Sequence, residues 1–102
     1  MFIKETKNQL EVFFDGEMDH YQMSLWKEDC QKQILNSKAD MVVFDFKAVS
    51  FIDSTGIGFI LGRYKDLMKM KRKLVLRNCT PAVYRLCEMS GLLTLMKVVQ
   101  DE

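Results

Sequence analysis

The chain has 102 residues, 48% of them hydrophobic and 28% charged, with a formal net charge of +1. That length fits one domain, residues 1–102, which buries about 65% of the unfolded chain's surface, and the composition excludes wholesale disorder. The balanced charge excludes a dedicated nucleic-acid binder, which needs a surplus of Lys and Arg to release counterions.

The N-terminal run Met1-Phe2-Ile3-Lys4-Glu5 lacks the layout of a signal peptide. A short strand over Phe2 to Glu5 can pair, across a Lys7-Asn8 turn, with a strand in which Leu10, Val12 and Phe14 alternate with Glu11, Phe13 and Asp15. Gly16 is expected to end that strand. Asp19 then caps a helix, with Gln22 at capping-box spacing, and Met23, Trp26, Cys30 and Ile34 form its apolar stripe. This helix is expected to end near Leu35, before a polar loop.

Met41 to Phe46 is a nearly continuous apolar run that predicts a central strand buried on both faces. Phe51-Ile52 is a separate apolar step before Asp53. Ile57, Ile60, Leu61, Tyr64 and Met68 recur at helical spacing, so a second helix runs to about Met70. Lys69, Lys71, Arg72 and Lys73 suit the negative end of its dipole and read as a solvated cluster. Leu74 to Leu76 is the next strand. Thr80-Pro81 opens a third helix that Gly91 stops, and Leu95 to Val99 is a last short strand. The order β-β-α-β-α-β-α-β predicts an α/β fold: a mixed, mostly parallel sheet of four to five strands with right-handed crossovers and helices packed on it.

No apolar run approaches the roughly 20 residues that span a bilayer, so no membrane partner is expected. Cys30, Cys79 and Cys87 are odd in number, form no C-x-x-C pair, and have a single histidine, His20, to help hold a metal. They read as small apolar side chains in a reducing cytoplasm, without metal or cofactor.

Chemistry concentrates in Asp53-Ser54-Thr55-Gly56-Ile57-Gly58, where a strand ends and a helix begins. Unpaired N–H groups and partial positive charge at a helix N-terminus welcome anions, so a phosphate on Ser54 can be held there. Gly56 and Gly58 leave the backbone bare for a close approach. A plain cap, with Asp53 or Ser54 capping and the glycines packing on the sheet, explains the same residues.

Other chemistries fit less well. Gly56, Gly58 and Gly62 are one residue off the dinucleotide fingerprint, and Arg77-Asn78-Cys79 supplies no acid for a ribose. Asp45 has the strand-end place of a phospho-acceptor, but the first strand lacks the acids that hold magnesium, so a hydrogen-bonded carboxylate is expected. A Ser54–His20 hydrolase would need an oxyanion hole and a substrate pocket that a domain this small hardly has room to wall. A binding protein is expected, and not an enzyme.

Asp53 to Gly58, preceded by the strand Val42 to Phe46, resembles the signature of the STAS domain family of anti-sigma factor antagonists. Gly16-Glu17-Met18-Asp19-His20 resembles the family's turn into its first helix. Leu61-Gly62-Arg63-Tyr64-Lys65, Pro81-Ala82-Val83 and Met89-Ser90-Gly91-Leu92 resemble its sporulation branch. The resemblance implies a partner switch. Unphosphorylated, such a protein binds an anti-sigma factor that is also a serine kinase, and so frees a sigma factor. The kinase phosphorylates the antagonist, which then lets go, and a serine phosphatase resets it. Ser54 matches the acceptor and Asp19 an acidic residue used in partner binding. The docking surface is expected to include His20, Asp53, Thr55, Gly56 and Gly58 as well. Thr55 offers a second hydroxyl for phosphate.

A STAS module of another system, a stress-signalling scaffold or a version that binds a nucleotide or small ligand, would instead use the Ser54 helix end as a phosphate site. The family usually adds a helix after its last strand. The sequence ends at Glu102, so apolar surface left open on the sheet is expected to favour self-association.

Overall fold

The computed structural model describes residues 1–100, so Asp101 and Glu102 at the end of the expected domain lie outside it. β1 (Phe2–Glu5) and β2 (Gln9–Met18) form the expected hairpin, closed by the Thr6 amide donating to the Gln9 carbonyl at 2.9 Å. Then come α1 (His20–Asn36), β3 (Met41–Ile52), α2 (Ser54–Lys69), β4 (Lys73–Arg77), α3 (Pro81–Met89), a 3-10 turn over Leu92–Thr94 and β5 (Lys97–Val99). The sheet runs β1-β2-β3-β4-β5, with β1 antiparallel to β2 and the other neighbours parallel. This is the α/β architecture that the alternation predicts, with five strands.

Register explains the core. Leu10 pairs with Val42 and Val42 with Leu74, while Val12 pairs with Phe44 and Phe44 with Leu76, so the alternating apolar positions share one face. Cys30 and Ile34 of α1, Ile60 and Leu67 of α2, and Val83 and Cys87 of α3 are buried in the same core. Phe14 stands at its centre, edge-on to Phe44 at 5.0 Å and to Phe59 at 5.7 Å, and stacked on Phe46 at 5.6 Å. Each such ring pair adds about 0.5–1.5 kcal/mol beyond its burial.

The other face carries an ion network. Arg77 donates from Nε to Asp45 at 2.8 Å, its Nη1 lies 2.7 Å from Glu11, and its guanidinium sits 5.4 Å from the centre of the Phe13 ring. Burial pulls the Arg77 pKa down, and the hydrogen bonds it donates to the charged Asp45 and Glu11 outweigh that, so the guanidinium ends above its ordinary value. Asp45 also accepts from the Asn78 side chain at 3.0 Å and the Lys47 amide at 2.9 Å. It is the hydrogen-bonded carboxylate expected from sequence.

Four local expectations are corrected. Gly16 does not end β2: it sits at φ 72° within the strand, beside a register irregularity against β3, and pairing with β3 carries β2 on to Met18. Phe51-Ile52 is not a separate step but the end of the 12-residue β3. That half of β3 runs past its last partner on β4, where Asp45 meets Arg77, and pairs with β2 alone, so Lys47, Ala48 and Ser50 are exposed. At the other end of the chain, β5 starts at Lys97 and not Leu95, because the 3-10 turn that buries Leu92 and then the buried Met96 come before the chain extends. Arg72, read as part of a solvated cluster, instead ties its loop to the last turn of α1 and the loop after it, by donating to the carbonyls of Ile34 at 2.8 Å and Ala39 at 2.7 Å.

Candidate functional site

β2 and β3 are parallel neighbours whose pairing ends at Met18 opposite Ile52. Each strand is followed one residue later by an aspartate that caps a helix, so α1 and α2 start side by side at the same edge of the sheet. Asp19 Oδ1 accepts from the Gln22 amide at 3.0 Å. Asp53 Oδ1 accepts from the amides of Thr55 at 2.9 Å and Gly56 at 3.2 Å, while its own amide donates to the Met18 carbonyl at 3.4 Å. Of the two capping candidates the sequence offers, Asp53 takes the role, which leaves Ser54 as the first helical residue, exposed. Two positive helix ends and two half-buried carboxylates therefore lie at the same edge of the sheet as an accessible hydroxyl.

The seven residues expected at a docking surface fall into three settings. Asp19 and Asp53 are caps, and Ser54 stands free at the surface beside them. His20, Thr55 and Gly58 line a groove of about 410 Å³ between α1 and α2, so the two chain segments meet there. Gly56 is buried: a Cβ on it would stand 2.6 Å from Ile52 Cγ1 and 2.8 Å from the Met18 carbonyl oxygen. Its bare backbone serves close packing of α2 on the strand ends. Gly58 is exposed, with nothing within 4 Å of a Cβ, and leaves its side of α2 open.

Lys27 and Arg63 also line the groove and were not singled out as site residues from sequence. A signal for Arg63 was present: it follows Ile60 by three residues and precedes Leu67 by four, which puts an arginine on the apolar stripe of α2. Among the described residues there is no group of three or more His, Cys, Asp or Glu placed to hold a metal ion. No helix among them is long and apolar enough to cross a membrane.

A family model described as STAS domain matches residues 2–102. The anti-sigma F factor antagonist of Paenibacillus polymyxa is 32% identical over 100 residues, covering 98% of this chain and 86% of that protein. The anti-sigma-B factor antagonist of Listeria monocytogenes is 31% identical over 102 residues, covering 98% of this chain and 88% of that protein. Among solved structures, the anti-sigma factor antagonist SpoIIAA superposes in its unphosphorylated form with a TM-score of 0.84 at 24% identity, over 99% of this chain and 87% of that one. Its phosphorylated form, from Bacillus, superposes with a TM-score of 0.78 at 22% identity, over 99% of this chain and 90% of that one.

Proposed function

Because the chain belongs to the STAS domain family, we propose that it acts in the cytoplasm as an anti-sigma factor antagonist controlled by phosphorylation of Ser54. Unphosphorylated, it binds an anti-sigma factor that is also a serine kinase, and so releases a sigma factor, of the sporulation type in this reading. The kinase then transfers the γ-phosphoryl group of ATP to the Ser54 hydroxyl, and the phosphorylated chain lets go. A serine phosphatase returns it to the binding state. The reading gives the protein a regulatory and not a catalytic role, in keeping with relatives named as antagonists of anti-sigma F and anti-sigma-B factors.

The observation that carries this reading is the exposed Ser54 at the first position of α2, beside the capped start of α1. A phosphate there brings about −1.5 to −2 charges at pH 7. Within the free domain the helix end offsets that charge, so the fold stays in place. At a docked surface the same charge joins Asp53 and Asp19 in a dense negative patch, which repels a partner that had fitted around the hydroxyl. Docking is proposed to involve Asp19, His20, Asp53, Thr55 and Gly58, with Gly56 holding the helix in place from below.

Peptide-level mass spectrometry after incubation with ATP and a sporulation-type anti-sigma kinase tests this. One added phosphate on Ser54, absent in Ser54→Ala, is expected. No phosphate, under conditions that modify a known antagonist, would overturn the switch in favour of a scaffold or ligand-binding module. Phosphate on Thr55 would move the site by one residue.

A further inference from the structure

Arg63 is 5% exposed although it is charged, and lies among the buried residues of α2. Its Nε donates to Asp66 at 3.1 Å and its guanidinium lies 5.3 Å from the centre of the Phe59 ring. Its Nη1 is buried and, among the described residues, has no hydrogen-bond acceptor. A buried guanidinium N–H is costly to leave unpaired, and native proteins rarely do so without a reason. Asp66, its one carboxylate partner among the described residues, is itself partly exposed and takes the Nε hydrogen, which leaves Nη1 without an acceptor.

Arg63 lines the groove between α1 and α2, and so do Lys27 and His20. Three nitrogen-bearing side chains thus meet in one groove, with no carboxylate among the described residues that line it. Met23 and Phe59, both buried core residues, give it an apolar wall. Gly58 and Gly62 leave one flank open, since a Cβ at either would meet nothing within 4 Å. Thr55, in the first turn of α2, adds a hydroxyl at the positive end of that helix. A space of about 410 Å³ falls within the range of small-molecule sites, which join an apolar wall to a few convergent polar groups.

We propose that this groove binds a small oxyanion, a phosphate or carboxylate carried on a compact apolar body, with Arg63 and Lys27 holding the anion and Met23 and Phe59 packing on the body. His20 and the Thr55 hydroxyl complete the hydrogen bonds. The site goes beyond the partner switch and does not rest on it, because it is built from groups of the chain alone and involves no transfer to Ser54.

Titrating the isotope-labelled chain, without kinase, with phenyl phosphate, benzoate and phenol tests the site by nuclear magnetic resonance. Saturable shifts of the Met23, Lys27, Gly58 and Gly62 amides are expected with at least one of the two anions and not with phenol. Tighter binding of phenyl phosphate identifies a phosphate as the group held, and tighter binding of benzoate a carboxylate. Lys27→Ala is expected to weaken binding by about fivefold or more, through loss of a charge-assisted hydrogen bond. Gly62→Leu fills the groove from open space and should abolish binding while leaving a dispersed, folded spectrum. Shifts that never saturate with either anion would overturn the proposal. So would shifts that phenol reproduces, or that survive both Lys27→Ala and Gly62→Leu.

Discussion

The carbonyl oxygen of Met18 lies 2.8 Å from the point that a Cβ on Gly56 would occupy, so the end of β2 and the first turn of α2 touch through bare backbone. Ile52 Cγ1, 2.6 Å from the same point, can shift by rotation of its side chain, but the carbonyl cannot move without its strand. Gly56→Ala is therefore expected to cost about 1–3 kcal/mol in urea denaturation. Gly62→Ala, placed in open space within the same helix, should cost nothing and gain up to about 1 kcal/mol. Equal effects at the two positions would show that the contact does not constrain the helix.

Asp53 satisfies two of the free amides of α2 with one oxygen. Asp53→Ala should lower stability by about 0.5–2 kcal/mol, and Asp53→Asn, which keeps an acceptor, by clearly less. Chemical denaturation of the pair measures this, and equal losses would assign the effect to charge and not to the cap.

Ser54→Asp should leave stability within about 0.5 kcal/mol of the parent, because the residue is exposed and a negative charge suits the first turn. The same variant should fail to bind an anti-sigma kinase in calorimetry, while Ser54→Ala binds. Tight binding by Ser54→Asp would remove charge repulsion from the mechanism.

On the opposite face of the sheet, Asp45→Ala takes a carboxylate from the Arg77 guanidinium and leaves Glu11 as its remaining ion partner among the described residues. Breaking a buried pair from one side typically costs about 3–5 kcal/mol, and retention of Glu11 puts the expected loss near the lower bound. A loss below about 1 kcal/mol would mean that water replaces the carboxylate without penalty.

Burial pushes the thiols of Cys30 and Cys79 up to about 12 and that of Cys87 to about 11, from an ordinary 9.0. Above pH 9 the unfolded chain sheds thiol protons that the folded chain keeps. The stability these groups contribute is thus full below about pH 9 and is lost as pH rises from there toward 11 and 12. Denaturation midpoints should fall over that window, and fall less in a chain with all three cysteines replaced by alanine. At pH 8 the native thiols should resist alkylation until denaturant is added.

Much of this was legible from the sequence because it is local. A cap is a matter of one side chain and the next three amides, so Asp19 announced the first helix start, and the second was narrowed to Asp53 or Ser54. The alternation of Leu10, Val12 and Phe14 was enough to orient β2. What the sequence hid depends on neighbours supplied by the fold. Gly16 looked like a break because nothing in its own segment reveals that β3 will pair with it. The second half of β3 was not read as one strand with the first, because the exposed Lys47, Ala48 and Ser50 interrupt the apolar run where β3 has a strand on one side alone. Arg63 carried a signal, a charge at an apolar register, that invites the question of what it pairs with. Arg77 gave none, since Glu11 and Asp45 reach it only through the register of three strands.

The strands lie across the sheet in the order in which they occur along the chain. Each newly made strand can therefore add to an edge already present, and no later segment has to be inserted between two earlier ones. The domain can grow from its hairpin outward during synthesis, with β2, α1 and β3 as the first unit to close a core. A ribosome stalled after β3 should already hold a protected nucleus, and one stalled within α1 should hold none.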